Sequence, residues 1–566
     1  MFLAAILYPL INILWALLPL LRSARPSNRL PLLDSISQFE VHSLPGAPPS
    51  SLPTSWAGRI PVPDAKPGNA LFFWLFQAED PAYDDNLIIW FNGGPGCSSL
   101  IGLMSGNGPL AFVGNSTELI GNPYSWTRLG HVLYIDQPVG TGLSTASEPY
   151  PLSDNEGVTA YLYAWLQSFF VYFPQLRAKQ IHLMGESYAG IYIPYLAATI
   201  EHHQASFPLN LRSLSLGDAT FGHAIAMSTI PAVAYLRSQQ SRLQIPPDIL
   251  DAFIEADSIC GFDRVLEQAA RYPPAGPITI PDAAEDDNET DQQTCSSDTT
   301  AAAAAAAAAI AMQQSLTTPE GILSAILNST TCDGSCATFS TASRYLSSST
   351  TTTSQPHNTS NTLHHQCFDV YDITNNCTTI DPLPLLSSYF SRPDPPPPPP
   401  HHPGSQTPRT YLPCNDTIRT LILRDGQLPA PPADTLLPTL LNTHRELALH
   451  IYAGDSDFLL NHYGIELALQ NMTWRGGRGF ERSFADRYFY VDEKGWLRDT
   501  IPSSSSSSSS SSTGGSAQAA QAAQAAQPAG LWTSSRGVTY HLFWDAGHAV
   551  FAKKPREMFA FVRAVV

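Results

Sequence analysis

The string Met184-Gly185-Glu186-Ser187-Tyr188-Ala189-Gly190 lies between an apolar run at 181–184 and a helical pattern at 191–200. A serine hydroxyl is a weak nucleophile. It reacts when a sharp strand-to-helix turn lifts it clear of the sheet and within reach of a base, and small neighbours such as Gly185 and Ala189 permit that turn. The same string would suit a glycine-rich turn with no chemistry, and the strand–helix context is what points to a nucleophile at Ser187. A second motif, Trp90-Phe91-Asn92-Gly93-Gly94-Pro95-Gly96-Cys97-Ser98-Ser99, follows an apolar run at 87–91. Consecutive glycines let backbone N–H groups face a developing oxyanion without a Cβ in the way, although a tight loop would read the same.

These motifs need rigid elements to hold them. Runs rich in β-branched and aromatic residues at 71–76, 87–91, 132–135 and 181–184 read as strands, and 157–173 and 191–200 read as helices. Strands alternating with helices imply a parallel sheet, whose strands are buried on both faces and lack clean alternation, as 87–91 does. After about residue 222 a helical stretch at 249–270 gives way to an acidic segment, an alanine run at 301–309, a Ser/Thr tract near 347–354 and prolines at 395–400. Such tracts cannot build a packed core. Strand patterns resume at 447–452 and 538–543, separated by the serine run 503–512 and Gln-Ala-Ala repeats. The expected organisation is a signal peptide or anchor at 1–24, a first core part at 25–222, an insertion at 223–410, and a second core part at 411–566 containing a disordered loop at 502–529.

The two motifs together resemble the serine carboxypeptidase family, whose fold is the α/β-hydrolase fold: a mostly parallel sheet with helices on both faces and here a helical insertion, or cap. Further strings resemble it, among them Asn122-Pro-Tyr-Ser-Trp126, Asp136-Gln-Pro-Val-Gly140 and Cys367-Phe-Asp-Val-Tyr371, so the likeness spans about residue 35 to the end. Triads of this fold run serine, acid, histidine along the chain. Ser187 is followed by Gly454-Asp455-Ser456-Asp457-Phe458 and then by Asp545-Ala546-Gly547-His548. The resemblance makes Asp457 the acid, with Asp455 as its rival, and His548 the base that takes the Ser187 proton. It implies an oxyanion hole at the N–H groups of Gly94 and Tyr188, and a site for the substrate's terminal carboxylate at Asn92, Gly93 and Glu186. Two carboxyl groups can meet only if one carries a proton, so recognition should work best in acid. The plain alternative for Glu186 is an acidic residue favoured at a helix N-terminus.

Two positions depart from the family. A second glutamate usual after the glycine motif is replaced by Gly106, and the residues after His548 read Ala549-Val550-Phe551 where Met-Val-Pro is usual. Both touch the binding side and leave the triad intact. The resemblance also pairs Cys97 with Cys414, which would clamp the oxyanion loop; fifteen pairings of the other six cysteines stay open.

Composition points the same way. The 566 residues carry 30 Lys+Arg against 48 Asp+Glu, a formal charge of −18, which argues against nucleic-acid binding. Only 14% are charged and 49 are proline, leaving Ser, Thr, Asn and Gln to supply much of the polar surface. The apolar run 1–21, eight cysteines without paired C-x-x-C spacing, and sequons at Asn115, Asn288, Asn328, Asn358, Asn376, Asn415 and Asn471 suit a secreted or vacuolar protein with disulfides. No metal or other cofactor is expected, and the fifteen histidines besides His548 are expected at the surface. The expected activity is hydrolysis of peptides at a free C-terminus. A related acyltransferase, and a catalytically impaired extracellular binding glycoprotein, remain the alternatives, and oligomeric state is not specified by sequence.

Overall fold

The computed structural model describes residues 34–48, 51–281, 316–327, 336–348, 368–375, 379, 381–392, 411–423, 430–500 and 527–566. The apolar run 1–21, the alanine run and the proline and serine tracts lie outside these residues, as do most of 502–529 and Cys295, Cys332, Cys367 and Cys377.

The described strands are β1 (Ser55–Pro61), β2 (Ala70–Phe76), β3 (Asn86–Phe91), β4 (Leu110–Phe112), β5 (Leu119–Gly121), β6 (His131–Asp136), β7 (Gln180–Glu186), β8 (Asn210–Gly217), β9 (Ala448–Gly454), β10 (Thr473–Trp474), β11 (Gly477–Arg478), β12 (Arg487–Val491), β13 (Leu497–Thr500), β14 (Gly530–Ser535) and β15 (Val538–Phe543). Eleven of them form one sheet in the order β1-β2-β6-β3-β7-β8-β9-β15-β14-β12-β13. The stretch from β6 to β15 is parallel throughout. The flanking strands are antiparallel, including β2 at 71–76. The large sheet is mixed, a parallel centre between antiparallel flanks with helices on both faces, as in an α/β-hydrolase fold.

Residue pattern explains the layers. Every residue of β3 is buried, as a strand covered on both faces requires. On one face, helix Asn155–Tyr172, capped by Asp154 accepting from the Gly157 N–H at 2.7 Å, packs with helix Ala189–His202. Its Trp165 and Phe169 meet Phe73 of β2. On the other face, Phe561 of the C-terminal helix Pro555–Val565 packs on Tyr452 and His541. Burying each such large side chain stabilises the fold by about 1.5–3 kcal/mol.

Strand β8 has no continuous apolar run, because Ser213 and Ser215 interrupt its leucines, although both are buried. The Ser213 hydroxyl pairs with His182 Nδ1 at 2.7 Å, which satisfies that position inside the sheet, whereas Ser215 Oγ is buried without a hydrogen-bond partner. The helical stretch at 249–270 is two helices, Pro247–Cys260 and Phe262–Ala269, broken at Gly261 with φ 75°. With helices Ala232–Ser238, Pro319–Leu327 and Thr338–Ser348, the first of these closes a separate core that takes in Phe458.

Candidate active site

In an open parallel sheet, side chains for chemistry collect where strands end at their carboxyl edge. Four adjacent strands end here in titratable or nucleophilic residues: Ser187 after β7, Asp218 after β8, Asp455 to Asp457 after β9, and His548 beyond β15. The glycine motif follows β3, the other neighbour of β7.

Ser187 sits at φ 61°, in the left-handed region a side chain rarely adopts. Its N–H donates to Gly217 O at 2.9 Å and its carbonyl accepts from Thr220 N at 3.1 Å, so β8 pins the strained residue. A Cβ at Gly185 would lie 2.5 Å from Phe91 O, and one at Gly190 would lie 2.4 Å from Thr220 O, which is why both flanks of the turn are glycine.

Asp457 and His548 meet at this edge. His548 Nδ1 and Asp457 Oδ2 are 2.7 Å apart and both residues are buried. The other oxygen, Oδ1, accepts from the N–H groups of Leu459 at 2.9 Å and Leu460 at 3.2 Å, fixing the carboxylate plane. Burial pulls the His548 pKa down, but the charge of Asp457 and its hydrogen bond outweigh this and leave it raised. Asp455 faces elsewhere: it accepts from Ser456 Oγ at 2.8 Å and lies 4.0 Å from Arg242. Arg242 also donates to Ser456 Oγ at 2.9 Å and to Asp545 Oδ1 at 3.0 Å, so one guanidinium ties the acid loop to the histidine loop. The Tyr371 carbonyl accepts from His548 N at 2.7 Å, and its ring lies edge-on to the imidazole at 5.1 Å.

Glu186, one residue before the serine, is buried beneath this edge. Its Oε1 accepts from Asn92 Nδ2 at 2.6 Å, and its Oε2 has no partner. Trp90 Nε1 at 2.7 Å and Gly102 N at 3.1 Å both donate to Asn92 Oδ1, which leaves the amide nitrogen facing Glu186. Burial raises the Glu186 pKa to about 7, against the lowering pull of His548. A Cβ at Gly93 would fall 2.4 Å from Tyr188 N and 2.7 Å from Ser187 Cβ, so the glycine loop runs directly against the Ser187–Tyr188 peptide. Gly94 has φ 109°.

Cys97 is bonded to Cys414, and hydrogen bonds Ser98 N to Pro413 O (2.7 Å) and Asn415 N to Gly96 O (2.9 Å) flank the bridge. Cys260 is bonded to Cys336. The two departures from the family meet in space: a Cβ at Gly106 would lie 2.7 Å from Phe551 O, so the backbone after His548 fills the place of a side chain. The Phe551 ring packs edge-on against Trp90, with centroids 5.2 Å apart.

The surface placement expected for the remaining histidines needs correction. His131, His182, His462 and His541 are buried, and burial lowers their pKa values, so these imidazoles sit in the core as neutral rings. Arg242 and Asp218 lie in no local motif of the sequence. The one available signal for Asp218 was its place after a strand, and that strand was itself hidden by its serines. Among the described residues no cluster of His, Cys, Asp and Glu could hold a metal ion, and no helix is long and apolar enough to cross a membrane.

A sequence profile of the serine carboxypeptidase family matches residues 45–246 and 285–566. The chain is 40% identical over 560 residues to a "Carboxypeptidase Y homolog" of Arthroderma benhamiae, covering 98% of this chain and 99% of the relative. It is 26% identical to the "Pheromone-processing carboxypeptidase kex1" of Aspergillus niger, covering 92% and 69%. The crystal structure of a prohormone-processing carboxypeptidase from Saccharomyces cerevisiae superposes with a TM-score of 0.61 at 21% identity, covering 94% of each chain, and shares the fold. With the nucleophile turn, the glycine loop and the carboxylate–imidazole pair at one sheet edge, the chain belongs to the serine carboxypeptidase family, and it is a hydrolase of the peptidase class.

Proposed function

We propose that Ser187, His548 and Asp457 cleave the C-terminal peptide bond through an acyl-enzyme. His548 Nε2 takes the Ser187 Oγ proton as Oγ bonds to the scissile carbonyl carbon. The C–N bond then breaks and the same proton goes to the departing amine. A water, deprotonated by His548, adds to the acyl carbon, and Oγ leaves with the proton. Asp457 holds the imidazole tautomer and offsets its positive charge. The N–H groups of Gly94 and Tyr188 stabilise the oxyanion, where each donor is worth about 3–4 kcal/mol of barrier.

The observation that carries the exopeptidase reading is Glu186. It is buried one residue from the nucleophile, has one oxygen held by Asn92 and the other unpartnered, and keeps its proton to about pH 7. A neutral carboxyl there donates to the substrate's terminal carboxylate, which Asn92 and the Gly93 backbone complete. Mildly acidic conditions preserve that donor.

The test labels one portion of the protein with a fluorophosphonate and offers a separate, unlabelled portion a blocked dipeptide with a free C-terminal carboxylate beside its amide and ester. Ser187 is expected to be the labelled residue, and the free acid the preferred peptide at mildly acidic pH. A folded protein left unlabelled would rule out the triad. Cleavage of ester but never of the free acid would rule out carboxypeptidase recognition.

A secreted or vacuolar location is supported by the disulfides Cys97–Cys414 and Cys260–Cys336, which persist in oxidising compartments. The sequon at Asn115 supports it too, exposed between β4 and β5.

A further inference from the structure

Asp218 follows β8 directly, is wholly buried, and sits at φ 39°. Its N–H donates to Tyr452 O at 2.9 Å and its Oδ1 accepts from Gly454 N at 2.9 Å, so it is tied to the end of β9, from which the acid loop springs. Its Oδ2 is buried with no donor of its own to meet. What lies against it is the carboxyl of Asp457, within hydrogen-bonding reach. Two buried carboxyl groups in contact cannot both be charged. Asp457 accepts two backbone N–H bonds and the His548 imidazole, whereas Asp218 accepts one backbone N–H, so the charge belongs on Asp457 and the proton on Asp218.

We infer that Asp218 is a positioning residue of the catalytic machinery, a neutral carboxylic acid whose Oδ2–H donates to Asp457 and fixes both the orientation and the basicity of the triad acid. The inference rests on the Ser187–Asp457–His548 reading. Burial and the Asp457 charge push the Asp218 carboxyl well above the usual carboxylate range, with Glu186 adding to the effect. The other titratable groups facing it are the buried phenols Tyr452 and Tyr540, neutral because burial raises them further. An O–H donated to Asp457 disperses its negative charge. Without that donor Asp457 holds the protonated imidazole more firmly, so His548 becomes a useful base only at higher pH.

The experiment compares Asp218→Ala and Asp218→Asn with the full-length wild type, by pH profiles of kcat and KM on a free-acid peptide and by fluorophosphonate labelling. The amide of asparagine can accept from Gly454 and donate to Asp457. Asp218→Ala is expected to lower kcat about tenfold with little change in KM, and to move the acid limb of kcat/KM to higher pH. Asp218→Asn is expected to keep kcat within about threefold and to retain the wild-type limb. Superposable profiles for Asp218→Ala and wild type would overturn the inference, as would equal losses in both variants with no shifted limb. An unlabelled wild type would overturn the triad reading itself.

Thermal melts of Asp218→Asn keep the test open if the alanine variant does not fold. A proton kept in the folded state contributes stability fully present below the unfolded value of 3.8 and lost as pH rises. The melting temperature of Asp218→Asn should therefore gain on wild type as pH rises from about 4 to about 7. A melting temperature of Asp218→Asn that falls relative to wild type over that interval would mean an ionised Asp218 and would overturn the inference.

Discussion

Under the proposed recognition of the substrate's terminal carboxylate, one buried side chain, Glu186, would set the working pH. Its folded-state pKa of about 7 stands above the ordinary value of 4.5, because burial penalises the charged form. Below about 7 it is a hydrogen-bond donor for a carboxylate, and above that it repels one. For a free-acid peptide, kcat/KM of the wild type is expected to fall as pH rises through about 7. Glu186→Gln should flatten that alkaline limb while the acid limb, set by His548, stays; profiles with free-acid and ester substrates check this. The same proton affects stability. Below about 4.5 both folded and unfolded states hold it, and between about 4.5 and 7 only the folded state does, so its contribution is lost as pH rises. Glu186→Gln should remove a slope worth on the order of 3 kcal/mol across that interval, read by denaturant unfolding at several pH values.

At the scale of elements, the site depends on loops that fit each other closely. Gly106 and the 549–552 backbone form one such fit, and the family's usual glutamate has no room because the Phe551 carbonyl stands 2.7 Å from where its Cβ would be. Gly106→Glu should destabilise the protein by about 1–3 kcal/mol and lower kcat by shifting the segment that follows His548. A melting temperature and kcat equal to wild type would show that this loop gives way freely. Strand β8 teaches a related lesson. Its serines read as surface residues in isolation, yet they are buried and one is satisfied by His182 across the strand pair. Hydrophobic period alone could not find a strand with buried serines, one of them paired by a residue on the neighbouring strand.

Across the whole molecule, the helical insertion and the sheet core share Phe458, the residue after Asp457, the proposed triad acid. It is fully buried and touches Tyr235, Phe339 and Phe368 of the cap. Phe458→Ala should cost about 3–5 kcal/mol and lower kcat as well, since Asp457 loses its neighbour's anchorage; unfolding and turnover measured together check both. The surface carries its own prediction. Of the three described sequons, Asn415 caps a helix by accepting from Thr417 N at 3.1 Å, and Asn471 exchanges two 2.9 Å bonds with the Ile278 backbone. Asn115 is exposed, so Asn115→Gln should remove one glycan by mass, whereas Asn471→Gln should leave the glycan mass unchanged and lower stability instead.

Much of the site was legible in the chain. Ser187 in its strand–helix turn, the glycine loop and the late Asp and His loops are local signatures, because tight turns and bare backbone demand particular small residues at fixed spacing. The family resemblance then supplied the Cys97–Cys414 pairing that the structure contains. What only tertiary structure decided is which groups face each other. Asp457 meets His548 and Asp455 does not, Arg242 reaches from the helical insertion to the loops after β9 and β15, and the four side chains at the sheet edge lie as many as 361 residues apart along the chain (548 − 187). Those relations depend on strand order and burial, and burial is what turns ordinary carboxyl groups such as Glu186 and Asp218 into proton carriers.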